Sequence, residues 1–373
     1  MRGGAGRGHG TLTGAAPDDD GAPARVLRAD PADVDGPASR AAVAEAARLL
    51  RGGGLVAIPT ETVYGLAADA LDPAAVARIF AAKGRPSYNP LIAHVADTDG
   101  ALALVATWPD AAARLAAAFW PGPLTLVLPK RPGVVPDLVT AGLQALAVRV
   151  PAHPVALAVL RAAGRPLAAP SANRFTELSP THAEHVVAAL GGRVDLVLDG
   201  GPTGVGIEST VVDLTGAAEG GVIRVLRPGT IAAERLAEAA GVPLGGAPEP
   251  AAAGAPRLAP GMVERHYAPR AAVRLFAPGE RAAAARWLAA ERGRSPGLRA
   301  GALLLAPWAE AEPVDRAVAM PAGAEGYARR LYAELHALDA AGCDVALVEQ
   351  VPSGAAWDGV RDRLARAAHP ADR

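Results

Sequence analysis

Four short segments of the chain crowd hydroxyl, amide and cationic side chains where apolar runs end. The first, Pro59–Leu66 (PTETVYGL), follows the run Leu55–Ile58. Open α/β sheets contact ligands at the carboxyl ends of their strands, and a Thr-Glu-Thr turn there supplies polar contacts. The same residues also read as an ordinary polar turn with Tyr64 packed on the core. The second, Lys83–His94 (KGRPSYNPLIAH), sets two cations two residues apart at a helix end. Lys83 as a compact charge and Arg85 as a planar fork suit a polyphosphate. Equally, cations in a last helical turn complement the helix dipole. The third, Pro170–Thr181 (PSANRFTELSPT), offers the Ser171 hydroxyl and the Asn173 amide, and Ser179-Pro180-Thr181 reads as the start of the next helix. Exposed amides at a helix start form an anion site, and Ser179 suits a cap. The fourth, Gly200–Thr210 (GGPTGVGIEST), is glycine-rich and lies between two strand-like runs. Such a loop lets backbone amides approach phosphate closely, or is simply a flexible hairpin; no Walker lysine accompanies it. Arg149 and Arg227 add cations near strand ends.

The missing motifs narrow the chemistry. There is no G-x-S-x-G elbow and no His/Cys ligand spacing, and Cys343 is the sole cysteine. One cysteine excludes an intramolecular disulfide and any multi-cysteine metal cluster. His182 and His185 fall on one helical side without a third ligand and read as surface residues. The chemistry therefore needs no protein nucleophile and no structural zinc. Cations, hydroxyls and amides remain, which suits holding a nucleotide and aligning reactants. Net charge is −1 and the isoelectric point near 6.7, so no global basic field exists to hold nucleic acid or an anionic membrane. Of 37 basic residues only Lys83 and Lys130 are lysine, and only Asn89 and Asn173 are asparagine. In so Arg-rich a chain a remaining lysine points to work that Arg cannot do.

These segments need elements to position them. The 373 residues, 51% hydrophobic and 20% charged, suit a globular chain of two or three domains. No stretch approaches the roughly 18 uninterrupted apolar residues of a spanning helix, and the N-terminus lacks the apolar segment of a secretory signal, so a cytoplasmic location is expected. Residues 1–24 read as a disordered tail. Residues 25–240 alternate strand-like and helix-like runs and read as one α/β domain. Its strands are expected at Leu55–Ile58, Leu91–Val95, Leu124–Leu128, Leu146–Val150, Val194–Leu198, Ser209–Leu214 and Val222–Leu226. Helices are expected from a Ser39 cap to Leu50, from Pro73 behind an Asp72 cap, and over Asp110–Phe119, Pro154–Ala163, Thr181–Leu190 and Ile231–Ala240. Residues 241–270, rich in Pro, Gly and Ala, read as a linker that ends in a denser cluster, Glu264–Tyr267. Residues 271–373 alternate again as βαβαβα and suggest a small parallel, Rossmann-like sheet, without a G-x-G-x-x-G fingerprint.

Taken in order, PTETVYGL, K-x-R followed by NPL, WPGPLTLVL, AVRVPAHP, APSAN, GIEST and LRPG closely resemble the threonylcarbamoyl-AMP synthase family with its YrdC-type catalytic domain. The resemblance covers roughly residues 45–240. The segment Gly261–Pro269 and the following α/β unit resemble the longer, two-domain form. It implies a twisted, open-sheet α/β catalytic domain with a concave cationic cavity, a linker crossing the cavity mouth, and a Rossmann-like C-terminal unit. It further implies a nucleotidyltransferase that makes threonylcarbamoyl-adenylate and pyrophosphate from L-threonine, bicarbonate or carbon dioxide, and ATP with magnesium. The product would pass to a transferase complex that modifies the adenosine beside the anticodon of tRNA.

Carried over by position, Lys83, Arg85, Ser171, Asn173 and Arg227 resemble residues that hold ATP and its phosphates, Lys83 and Arg85 being the catalytic pair. Asn89 and Ser179 match further nucleotide contacts, Ala145 a backbone contact, and Tyr267 a linker tyrosine that closes over the nucleotide. Thr62, His94, Arg149 and Ser209 match a threonine pocket, with Ala169 offering backbone, and Arg149 pairing with the substrate carboxylate. Two rivals share the fold. A carbamoyltransferase would need acylphosphatase and zinc-finger segments that this chain lacks, and a double-stranded RNA-binding module sits badly with near-neutral charge. Any tRNA binding is expected to be weak.

Overall fold

A computed structural model describes residues 24–217, 221–246, 255–261, 266–308 and 313–369. Ten strands form one mixed sheet: β1 (Val26–Arg28), β2 (Val56–Pro59), β3 (Tyr64–Asp69), β4 (Ile92–His94), β5 (Leu124–Pro129), β6 (Ala145–Arg149), β7 (Leu167–Ala168), β8 (Leu196–Asp199), β9 (Thr210–Asp213) and β10 (Arg224–Arg227). Their spatial order is β1-β8-β2-β3-β7-β4-β6-β5-β9-β10. Parallel pairs, such as β4 with β6, alternate with antiparallel ones, such as β5 with β6. The central strands are buried along almost their whole length because helices cover both faces. On one face α1 (Pro37–Arg51) packs on α6 (Pro154–Ala163) through Val43, Leu50, Val155 and Val159. On the other lie α2 (Pro73–Lys83), α4 (Asp110–Phe119), α7 (Ala183–Leu190) and α8 (Ala233–Ala240), joined by Ile79, Leu115, Val186 and Leu236. Two short helices, α3 (Thr98–Leu104) and α5 (Asp137–Thr140), complete the set.

Local chemistry explains most boundaries. Asp72 accepts a hydrogen bond from the Ala74 amide, Pro73 opens α2, and Gly84 closes it at φ 61°, as the sequence signals predict. At α1 the expectation of a Ser39 cap fails. Pro37 with its fixed φ sets the start, Gly36 is the N-cap, and the Ser39 hydroxyl accepts from the Asp30 amide at 3.0 Å. Ser179 is likewise no cap: α7 begins at Ala183 behind His182, and the Ser179 hydroxyl donates to Glu208. The polar turn in Pro59–Leu66 is the turn of a hairpin, since Pro59 pairs with Tyr64 across Thr60–Val63. Gly200–Thr210, by contrast, is not a hairpin. It leaves β8 near one edge of the sheet and enters β9 near the other, so it crosses the whole sheet.

The C-terminal unit is a parallel sheet as expected, with four strands rather than the three of a βαβαβα pattern, in the order β11 (Ala272–Phe276), β14 (Val345–Glu349), β12 (Ala300–Leu304), β13 (Arg316–Ala319). Its helices are α9 (Arg281–Arg294), α10 (Ala324–Ala340) and α11 (Asp358–Ala367). One apolar cluster joins the two units: Val63, Leu178, Ile207 and Tyr267 pack with Tyr327, Leu331, Tyr332 and Leu364. No helix among the described residues is long and apolar enough to cross a membrane.

Candidate active site

A buried cavity opens where β2, β4, β6 and β7 end and where β9 begins. Strand pairing sets its floor. His94 lies opposite Arg149 across β4 and β6, and opposite Leu167 across β4 and β7. The Thr60–Val63 turn is knotted by its own hydroxyls. Thr60 Oγ1 donates to the Val63 carbonyl at 2.6 Å and lies 2.8 Å from Thr62 Oγ1. That fixes Thr62 to accept from Arg149 Nη2 at 2.9 Å, while the same nitrogen meets Glu61 and Arg149 Nε donates to the Gly122 carbonyl at 3.2 Å. Burial first, and Arg149 second, hold the His94 imidazole down at about 3, so it faces the cavity as a neutral ring.

The opposite wall is cationic. Arg227 donates from Nη2 to Ser209 Oγ at 3.1 Å and from Nε to the Ser209 carbonyl at 3.1 Å, and Ser209 Oγ sits 2.8 Å from Thr125 Oγ1. Arg85 is held by the carbonyls of Asn89 (3.1 Å) and Pro90 (2.8 Å), and burial, with Arg227 opposing its charge, draws it down to about 9. Tyr267, at φ 59°, places its hydroxyl 3.5 Å from Arg227 Nη1, and the His266 ring stands edge-on to it at 4.0 Å. Ala169 and Ser171, just beyond β7, line the cavity between these walls.

Other expected residues stand behind the wall. Lys83 is buried, its Nζ donating to the carbonyls of Ser171 (2.6 Å) and Asn173. Burial, then Arg85, lowers its ammonium well below 10.5. Asn173 donates to the carbonyls of Arg174 and Glu177, and among the described residues its Oδ1 and both amide atoms of buried Asn89 find no partner. Such orphans are costly in a finished core and mark polar capacity held ready for a ligand. Ser179 reaches the cavity only through Glu208. Ala145 does not line it: it starts β6, four residues and about 13 Å from Arg149 at the strand's other end.

The sequence reading passed over Glu208 and the C-terminal residues that hold it. Glu208 lies inside the GIEST segment, where a lone carboxylate in a glycine-rich loop was the available signal. Its partner Arg363 sits in an Arg-rich helix and carried none. His182 and His185 are not simple surface residues. The His185 ring stacks on His336 of α10 at 3.9 Å and meets His182 edge-on at 4.9 Å. Arg265 and Glu264 of the linker cluster lie outside the described residues. Among the described residues no group of three or more His, Cys, Asp or Glu is placed to hold a metal ion.

A family described as telomere recombination, Sua5/YciO/YrdC, matches residues 48–229, and the threonylcarbamoyl-AMP synthase C-terminal domain matches residues 231–369. The threonylcarbamoyl-AMP synthase of Pyrococcus abyssi is 42% identical over 328 residues, covering 86% of this chain and 92% of that protein. The chain belongs to the threonylcarbamoyl-AMP synthase family. The Schizosaccharomyces pombe member is 38% identical, with 88% of this chain and 89% of that one covered. The fold agrees with the crystal structure of P. abyssi Sua5 complexed with L-threonine, at a TM-score of 0.81 and 38% identity over 92% of this chain and 97% of that one. The two-domain form of the family is thus the form found here.

Proposed function

We propose that this chain condenses L-threonine, bicarbonate or carbon dioxide, and ATP into threonylcarbamoyl-AMP with release of pyrophosphate. The observation that carries this reading is one cavity with two unlike walls, in a member of this family. Arg149, Thr62 and neutral His94 form a small polar pocket suited to an amino acid, and Arg85 and Arg227 face it as a cationic wall suited to phosphates. A threonine carboxylate would take up Arg149, exchanging the contact that Glu61 now makes, and Ser209 would bind near the hydroxyl or amine. Asn89 and Asn173, from behind the wall, would turn their amide capacity to the base or sugar, and Ser171 its hydroxyl to the phosphates. Arg85 would face the negative charge that builds as the carbamate oxygen attacks the α-phosphorus and pyrophosphate leaves, and Lys83 would support it from behind the wall through the carbonyls of Ser171 and Asn173. The barrier falls by alignment and by cations facing that charge, with no covalent protein intermediate.

Magnesium enters as part of the nucleotide substrate. Among the described residues the cavity offers guanidinium, hydroxyl, imidazole and backbone amide groups, and its one lining carboxylate, Glu208, is already taken up by protein partners. That donor set suits phosphate oxygens rather than a protein-held ion. The product would then serve a tRNA threonylcarbamoyl-transferase in the cytoplasm.

A pyrophosphate-release assay tests the reading. Release is expected only with threonine and bicarbonate together. Serine should be the poorer substrate, because losing one methyl contact forfeits about 1 kcal/mol. Equal rates with alanine, or release that ignores bicarbonate, would overturn the assignment.

A further inference from the structure

The C-terminal unit touches the cavity through one buried cation. Arg363 of α11 is 1% exposed, and its guanidinium spans two different loops of the catalytic sheet. Its Nε donates to Glu208 Oε2 at 2.7 Å and its Nη2 to the Glu208 carbonyl at 3.3 Å, which fixes the residue just before Ser209. Its Nη1 donates to the Pro228 carbonyl at 2.8 Å, which fixes the residue just after Arg227. The guanidinium carbon lies 5.0 Å from the centre of the Tyr267 ring. Tyr332 of α10 adds a second donor to Glu208 Oε2 at 3.1 Å, and Ser179 donates to Oε1. The helix that carries Arg363 docks backbone to backbone, since a Cβ on Gly359 would stand 2.3 Å from the Gly229 carbonyl oxygen.

We propose that Arg363 is a positioning residue for the synthase reaction, by which the C-terminal unit sets the spacing of Ser209 and Arg227 and keeps Glu208 turned to Ser179. This rests on the functional reading above and extends it to a unit that lies outside the cavity's sheet. A guanidinium suits the task because its rigid fork serves Glu208 Oε2 and the Glu208 and Pro228 carbonyls at once, with Asp362 Oδ2 as a fourth acceptor, which an ammonium on a flexible stem cannot. Glu208 itself is not free to act as a base, because each carboxylate oxygen is already accepting. Burial pushes its carboxyl up, but Arg363 and then Arg227 outweigh burial and hold it below the usual carboxylate value. The other groups facing this pair are Tyr332, Tyr267, Lys83 and Asp362. Without Arg363 the carboxyl would protonate more readily and would become a donor where Ser179 and Tyr332 need an acceptor.

The test compares Arg363→Lys, Arg363→Met and Tyr332→Phe in the full chain, following melting temperature, kcat, both KM values and the pH profile. Arg363→Lys should melt with the wild type yet lose about 10-fold or more in kcat/KM, as expected for displaced binding groups. Arg363→Met should also move the acid limb of the profile up by about one pH unit or more, and Tyr332→Phe should move it the same way by less. A folded Arg363→Lys with wild-type kinetics and pH profile would overturn the proposal. Should Arg363→Met fail to fold, the lysine and phenylalanine variants decide alone. Wild-type protein that releases no pyrophosphate would defeat the functional reading instead. The carboxyl titration of Glu208, followed by carbon-13 NMR and assigned with Glu208→Gln, would then judge the positioning role separately: a titration unmoved in Arg363→Lys and Tyr332→Phe refutes it.

Discussion

Lys83 and Lys130, the chain's two lysines, are put to different work. Lys130 is paired with Asp137 at 2.5 Å and reaches Thr140 at 3.3 Å, a local brace between β5 and α5. Among the described residues Lys83 has no carboxylate partner, and its compact ammonium is wedged between the carbonyls of Ser171 and Asn173, a point-charge geometry that a planar guanidinium does not reproduce. Lys83→Ala is therefore expected to reduce turnover by roughly 100-fold or more, as for a lost electrostatic stabiliser of phosphoryl transfer. Lys83→Arg should also be impaired, and single-turnover pyrophosphate release would measure both. A fully active arginine variant would make the rarity of lysine here an accident of composition. Residue type and spacing thus led to Lys83, Arg85, Arg149 and Arg227, because strand ends in an open sheet converge. They could not lead to Arg363, whose meaning depends on a helix more than 150 residues away from Glu208 in sequence.

At the scale of elements, the glycine-rich loop between β8 and β9 owes its composition to packing as well as to chemistry. Gly206 sits at φ 86°, and a Cβ there would stand 2.4 Å from the Arg329 Cα of α10 and 2.5 Å from the Ala328 carbonyl oxygen. The loop and α10 meet at backbone distance, so the loop is fixed from below as it crosses the sheet. Gly206→Ala should destabilise by about 1–3 kcal/mol from backbone strain alone, with more from the clash, and should weaken turnover because Glu208 and Ser209 follow directly. Gly204→Ala, with open space around the new carbon, should be tolerated. Urea unfolding of both variants checks the contrast. The elements missed by sequence pattern share a cause. β3 hides in an apolar run behind a polar turn, and β7 is two residues long. β1 and β13 are short strands with largely exposed side chains, so alternation had little to show.

The whole molecule departs most from what the sequence suggests. With the catalytic pattern ending at Ala240, a fragment truncated after Pro243 reads as complete and soluble. The structure instead shares a core between the units, with Val63, Leu178 and Ile207 packed under Tyr327, Leu331 and Tyr332. Cutting the chain would strip their cover and leave Glu208 without Arg363, and a buried charge robbed of its partner costs about 3–5 kcal/mol. The truncated fragment is expected to melt well below the full chain and to bind a hydrophobic dye, whereas the full chain should unfold in one calorimetric transition. Two separate transitions in the full chain, with the first matching the fragment, would contradict the shared core.

The cavity itself encloses only about 40 Å³, far below the roughly 300–1,000 Å³ usual for small-molecule sites. A nucleotide needs the walls to part, and where the wider form is a minority of the unliganded protein the measured affinity is the intrinsic one multiplied by that minority fraction. If about 1% of molecules are open, ATP binds about 100-fold more weakly than its contacts alone would give. The same imbalance works in reverse after the reaction. The narrow cavity that excludes the nucleotide would exclude the mixed anhydride too, so a return to that form would favour release of the product over sheltering it.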